Sequence, residues 1–422
     1  MTGIDSRLYG TYCAAVRTRR WFASTAIALL CAGCSGGPSS PAHAHVDLNA
    51  GPFSAPFDTP VHVTVSGLPP GGLVTLRART LDYEGKPWES AAQFRASAAG
   101  ALNLATAVPV SGSYRVADPA GLLWSLRPAF TTSPGTQFYI NDAGFVVTLQ
   151  VVVGGRVQAG ATLVRRAASG TSSSVQTVAR DGFAATLFTP GSVKSGTPVV
   201  VVIGGSEGGE LTLTANGLAL VGFPALALAY FGEPGLPRCL CSIPLEYFMR
   251  AIGWLRAQPV ARGRPVVLYG GSRGAEGALL LASYEPHLVD AIVLNSPSAL
   301  INAAYGGTGA AWTLHGTPLP TGAEIPVGDV RVPLLLGDGG QDEIWDSSGS
   351  ASVIVTELRS SGDRAPYQNL YYPDAGHGNF GSPPYFPYSD SVNGIVLGGS
   401  EQANALAIEQ FWTKMIGFIN SV

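Results

Sequence analysis

Val199-Val200-Val201-Val202-Ile203 is an unbroken run of β-branched residues. A strand with one wet face alternates in character, so a continuous run of this kind suits a strand covered on both faces, as in a parallel sheet. Related apolar runs recur at 225–230, 265–269, 291–294 and 332–336, with helical stretches such as Leu245–Ala257 and 274–283 between them. Strands alternating with helices predict a doubly wound, mostly parallel α/β domain, which we place at 175–422.

Residues 44–168 have a different texture. Short strands with β-branched or alternating character stand at 61–65, 73–79, 91–95, 102–105 and 146–153. The turn signal Gly67-Leu68-Pro69-Pro70-Gly71-Gly72 separates the first two. No helical period of useful length precedes residue 205. This pattern predicts a small immunoglobulin-like β-sandwich. A Ser/Gly stretch at 169–174 divides the two regions.

The first 43 residues read as an export signal and linker. Arg17, Arg19 and Arg20 precede an apolar run from Trp21 to Ala32, too short to span a bilayer comfortably. Thr18-Arg19-Arg20-Trp21-Phe22 is similar to a twin-arginine signal. Cys34 stands where a lipoprotein carries its acylated cysteine, although Cys31 replaces the usual leucine of that motif. The expectation is an exported, envelope-associated protein, with Cys34 as its lipidation site and membrane anchor.

Charged residues make up 13% of the chain and its formal net charge is −3, against about 25% charged in average soluble proteins. Nucleic-acid binding has no electrostatic support in that balance. Of five cysteines, Cys239 and Cys241 alone lie in the presumed mature globular region. Their side chains would point to opposite sides of an extended segment, so an unbridged pair is expected. No metal or cofactor motif stands out.

Gly270-Gly271-Ser272-Arg273-Gly274 fits Gly-x-Ser-x-Gly and joins the run 265–269 to the helical stretch from 274. At a strand-to-helix junction this is the sequence of a nucleophile elbow. A serine hydroxyl needs a base. His377, in Asp374-Ala375-Gly376-His377-Gly378, is the histidine that follows a late strand (369–372) on a glycine-flanked loop. The acid should come between the two in sequence. Asp338 and Asp342 compete for that role. Asp342 is preferred because its longer loop lets it reach an imidazole, and Asp338 is assigned to the turn. Glu343 is the neighbour most easily mistaken for the acid. Gly204-Gly205-Ser206-Glu207-Gly208-Gly209 follows the run at 199–203 and lacks both P-loop and dinucleotide spacing. Gly205 and Ser206, with the N–H of Arg273, are the expected oxyanion donors. The Arg273 side chain is read as a surface residue at the helix start, with phosphate steering as its alternative, and Glu276 as a helix residue three positions on.

With these motifs in place, the chain resembles the acyl-CoA thioesterase and bile acid-CoA:amino acid N-acyltransferase family. Ser66-Gly67-Leu68-Pro69-Pro70, Val74-Thr75-Leu76-Arg77-Ala78, Gly112-Ser113-Tyr114 and Gly121-Leu122-Leu123-Trp124-Ser125-Leu126 carry the likeness in the first domain. Leu228-Ala229-Tyr230-Phe231-Gly232, Leu245-Glu246-Tyr247-Phe248, Gly271-Ser272-Arg273-Gly274-Ala275-Glu276, Asp342-Glu343-Ile344-Trp345, Ala375-Gly376-His377 and Phe411-Trp412 carry it in the second. The resemblance implies an α/β-hydrolase domain preceded by a sandwich that shapes the acyl pocket beside the entrance. It implies a small acyl thioester substrate, an acyl-enzyme, and a triad at Ser272, Asp342 and His377. Serine rather than cysteine at the nucleophile favours water as acceptor. The alternatives are an exported carboxylesterase on oxygen esters, an acyl-CoA:amino acid N-acyltransferase, and a cell-surface binding protein on a hydrolase scaffold.

Overall fold

The computed structural model describes residues 45–130, 136–140, 144–167, 170–362, 365–378, 380–388, 391–392 and 395–422. Among them, eight strands form one sheet. In spatial order they are Thr171–Gln176, Ala184–Pro190, Ala225–Ala229, Val199–Ile203, Val266–Gly271, Ala291–Asn295, Leu334–Gly339 and Tyr367–Tyr372. The first two pair antiparallel, and the six from Ala225–Ala229 onward run parallel. All five residues of Val199–Ile203 are buried, as the continuous apolar run requires. Helix Thr212–Leu220 links Val199–Ile203 to the strand on one side of it, and helix Leu245–Ala257 brings the chain back to Val266–Gly271 on the other. This reversal of direction opens a crevice at the carboxyl ends of the central strands, where sheets of this kind bind ligands. The register puts those ends side by side: Ile203 pairs with Gly270, Gly271 with Asn295, and Asn295 with Gly337. The domain is an α/β-hydrolase.

The two antiparallel strands were not anticipated. Thr171–Gln176 is an edge strand of mostly exposed polar residues, and nothing in Thr-Ser-Ser-Ser distinguishes such a strand from a linker. The sheet therefore begins inside the stretch read as a domain divider.

The first domain is a β-sandwich. One sheet runs Asp47–Gly51, His62–Ser66, Leu102–Asn103; the other is built on Arg156–Arg166, Phe145–Val153, Leu73–Leu81 and Pro87–Arg95. In Leu73–Leu81 the side chains of Val74, Leu76, Ala78 and Thr80 turn inward while their neighbours face outward or sit at the margin. That alternation is the signature of a sheet packed on one face. The sandwich closes on the other domain through Phe386, whose ring lies 5.1 Å from Phe57 and 5.4 Å from Phe145. At the start of helix Glu401–Asn420, Gln402 Oε1 accepts from Arg115 N at 2.9 Å and Glu401 pairs with Arg127. The sandwich therefore packs on the stretch that follows His377.

Cys239 and Cys241 form a disulfide, contrary to the expectation of an unbridged pair. The premise of an extended segment fails. Cys241 N donates to Cys239 O at 2.9 Å, so the chain curls through Leu240 and brings both side chains to one side. Leu240 is buried and exchanges backbone hydrogen bonds with Tyr305, which fixes the curl against the 303–310 loop.

Candidate active site

Ser272 sits between strand Val266–Gly271 and helix Arg273–Tyr284 at φ 54°, ψ −118°. A side chain rarely adopts that conformation, which the surrounding structure has to impose. The flanking glycines explain how. A Cβ on Gly270 would run into Gly274 O, and one on Gly274 into the carbonyl oxygens of Ile203 and Gly204. Only with hydrogen at both places does the helix come close enough to turn the serine outward.

His377 follows the end of strand Tyr367–Tyr372. Its Nε2 lies 2.8 Å from Ser272 Oγ and its Nδ1 2.8 Å from Asp342 Oδ2. The Asp342 side chain is 1% exposed and that of His377 10%. Asp342 Oδ1 also accepts from the N–H groups of Ile344 and Trp345, at 2.9 and 3.1 Å. Those two bonds aim the other oxygen at the imidazole. The structure thus brings Ser272, His377 and Asp342 into one hydrogen-bonded line. Glu343 points to solvent. Asp338 belongs to strand Leu334–Gly339 rather than to the turn assigned to it, and it is buried. Burial raises its pKa from the ordinary carboxylate range to about 7.

Three residues that hold this line were not singled out for it. The Trp345 ring meets the His377 ring edge-on, 4.9 Å between centroids. Asn404, fully buried on the last helix, accepts from Gly376 N at 2.8 Å and donates to Gly398 O at 3.0 Å. It ties the histidine loop to the segment near 398, whose Leu397 O accepts from His377 N at 2.6 Å. Tyr230 Oη donates to Gly204 O at 2.8 Å and to Gly205 O at 3.2 Å, holding the glycine loop from behind. A buried polar residue on an otherwise apolar helix face was the available signal for Asn404.

The candidate oxyanion donors differ in their surroundings. Arg273 is the first residue of its helix, so its N–H has no intrahelical partner and lies beside Ser272. Gly205 N, in contrast, donates to Glu207 Oε1 at 2.9 Å. The Arg273 side chain is not a surface group. It is 6% exposed, pairs with Glu276 at 3.0 Å, and donates to the carbonyls of Ala303 and Asn302 at 2.9 and 3.2 Å. Glu276 in turn accepts from Trp312 Nε1 at 2.7 Å and Asn302 N at 2.9 Å. Two charges taken from water persist when they are paired in this way, and the guanidinium is turned to Glu276 and the carbonyls of Asn302 and Ala303.

An α/β-hydrolase sheet with a serine elbow facing a histidine defines the class of protein. Residues 58–178 match the acyl-CoA thioester hydrolase/BAAT N-terminal region, and residues 243–308 and 313–422 the BAAT/acyl-CoA thioester hydrolase C-terminal model. The chain belongs to this acyl-CoA thioester hydrolase/BAAT family. It is 30% identical to mouse (Mus musculus) acyl-coenzyme A thioesterase 2, mitochondrial, over 86% of each chain. It is also 30% identical to human (Homo sapiens) acyl-coenzyme A thioesterase 1, over 86% of this chain and 93% of that one. Among solved structures it is similar to a dienelactone hydrolase-like promiscuous phosphotriesterase from metagenomic libraries. That likeness has 19% identity and a TM-score of 0.42, and covers 60% of this chain and 99% of the other.

These relatives correct the expectation of an exported, envelope-associated protein. The mouse relative is named as mitochondrial, and neither name is that of an envelope protein. An N-terminal stretch with several arginines and few acidic residues is shared by export signals and organellar leaders, so that part of the pattern did not discriminate. The apolar run at Trp21 and the lipidation candidate Cys34 lie outside the described residues.

Proposed function

We propose that this protein hydrolyses acyl-CoA thioesters to free carboxylic acids through a covalent acyl-enzyme on Ser272. The observation that carries this reading is His377, hydrogen-bonded at 2.8 Å to Ser272 Oγ on one side and to Asp342 on the other. In this mechanism His377 Nε2 takes the hydroxyl proton as Ser272 Oγ attacks the thioester carbonyl. Asp342 holds the ring with its proton on Nδ1 and stabilises the imidazolium that forms. The Arg273 N–H and N–H groups of the 204–209 loop, with Gly205 and Ser206 as candidates, receive the oxyanion. The imidazolium returns its proton to the departing thiolate. Water, activated by the same histidine, then attacks the acyl-enzyme and releases the acid. The names of the relatives supply the acyl-CoA part of the reading.

The test compares fatty acyl-CoA thioesters with p-nitrophenyl esters of the same acyl groups, with Ser272→Ala as control. Higher kcat/KM for the thioesters in the unsubstituted protein, and turnover lowered by several orders of magnitude in the variant, is the expected result. Cleavage of oxygen esters alone would make it an esterase with the same machinery. Unchanged turnover in Ser272→Ala would remove the mechanism.

A further inference from the structure

We infer that Glu207 is a specificity-determining residue of this site: its carboxylate fills the N–H nest beside Ser272 in the free enzyme and excludes the carboxylate product. The inference rests on the Ser272 reading above and adds a residue which that mechanism does not use.

The geometry starts from the glycine loop. Tyr230 Oη binds Gly204 O and Gly205 O, so these carbonyls point back towards the buried tyrosine. The N–H of each following peptide then points the other way, towards the crevice. Consecutive N–H groups turned to one side make an anion-binding nest. The anion already there is the side chain of Glu207. Its Oε1 accepts from Gly205 N at 2.9 Å, and its own backbone N–H also bonds to the carboxylate. A methyl group placed on Gly205 would lie 2.8 Å from Glu207 Oε2 and 3.3 Å from Ser272 Oγ. Carboxylate, nest and nucleophile therefore meet around one point.

Glu207 is suited to leave. The residue as a whole is exposed, although its carboxylate end is folded in against Gly205 and Ser272. Protein surrounds the carboxylate closely enough to raise its pKa, and the titratable groups facing it are His377, Tyr230 and Tyr269. Of these, His377 is the one that favours its charge.

The consequence is a discrimination by charge. A neutral thioester carbonyl approaching Ser272 meets a carboxylate that can swing into the crevice and surrender its donors as charge builds on the substrate oxygen. The product of hydrolysis is itself a carboxylate. It competes for the same donors against a resident carboxylate and is repelled by it. Glu207 thus keeps the site from being held by its own product.

The test measures binding of decanoate and its neutral isostere decanamide, by calorimetry, to the full chain and to Glu207→Gln and Glu207→Ala. Removing one close like charge in a partly solvated site is expected to tighten decanoate about fivefold or more. Decanamide affinity should change by less than about twofold. Inhibition of hydrolysis by decanoate should strengthen in parallel. Equal tightening of both ligands would mean that the side chain only takes up room, and the inference falls. Unchanged decanoate affinity in both variants also overturns it. The isosteric Gln variant keeps the test readable if the Ala variant folds poorly. Binding needs no turnover, so failure of the Ser272 reading, seen as activity retained in Ser272→Ala, is distinguishable from failure of this one.

Discussion

The two domains solve the same problem, burying a sheet, in opposite ways. In the sandwich, Leu73–Leu81 buries every second side chain, and the core lies on one face. In the hydrolase domain, Val199–Ile203, Ala225–Ala229 and Ala291–Asn295 bury every residue. Their side chains divide between two clusters. Val199, Val201 and Ile203 face one, and Val200 and Val202 face the other, with Phe411 and Trp412 of the last helix. A sheet covered on both faces can expose chemistry only at its ends. Ser272, the 204–209 loop, Asp342 and His377 all follow the carboxyl ends of strands for that reason. The sandwich instead packs on the chain after His377.

The largest expected effect on this contrast is at Ser272, the proposed nucleophile. Ser272→Ala should lower kcat by a factor on the order of 10³–10⁶ while leaving the thermal transition close to that of the parent. Residual turnover above about a tenth of the parent's would show that the reaction does not pass through Ser272.

Glycines in the two domains should respond differently. Gly274→Ala places a methyl against the carbonyl oxygens of Ile203 and Gly204, and should cost on the order of 3 kcal/mol or more together with most activity. Gly154→Ala, at φ 57° in a sandwich turn with open space around it, should cost about 1 kcal/mol and leave kcat unchanged. Chemical denaturation of both variants measures the difference. Similar losses would mean that the elbow is not as tightly packed as described.

Two residues near one end of the last helix face different domains. Asn404 bonds to the histidine loop and Gln402 to Arg115 of the sandwich. Asn404→Ala should lower kcat about tenfold or more by loosening the position of His377. Gln402→Ala should alter stability by under about 1 kcal/mol and leave turnover alone. Equal effects on kcat would place the sandwich contact in the machinery.

The last expected effect concerns pH. Asp338 titrates at about 7 in the folded chain against 3.8 as its ordinary value. Between those values the native state keeps a proton that the unfolded state has lost, so its contribution to stability falls as pH rises from about 4 to about 7 and is level above. Asp338→Asn removes that loss. The variant should gain on the parent between pH 4.5 and pH 8 by on the order of 1–3 kcal/mol, read as a difference in Tm. A gap that does not change with pH would show that Asp338 is ionised throughout.

Much of this was legible because it is local. Gly-x-Ser-x-Gly after an apolar run carries its own geometry, since only glycine permits the close approach at 270 and 274. The histidine and the acid could be ordered along the chain because each follows a strand. What stayed illegible depends on segments distant in sequence. The curl that joins Cys239 to Cys241 is fixed by a loop more than sixty residues further on. Arg273 is buried because the carbonyls of Asn302 and Ala303 and the carboxylate of Glu276 converge on it.

The class of each domain and the candidate serine, acid and histidine could be read from the sequence alone, because burial on one or two faces and the needs of a sharp turn are written in neighbouring residues. The tertiary structure decided which oxygens and nitrogens meet. Asn404 reaching the histidine loop, Trp345 meeting the imidazole and Glu207 folding into the nest are contacts that exist only after the loops have been brought to one edge of the sheet. A side chain's partner at hydrogen-bond distance is set by packing, not by its place in the chain.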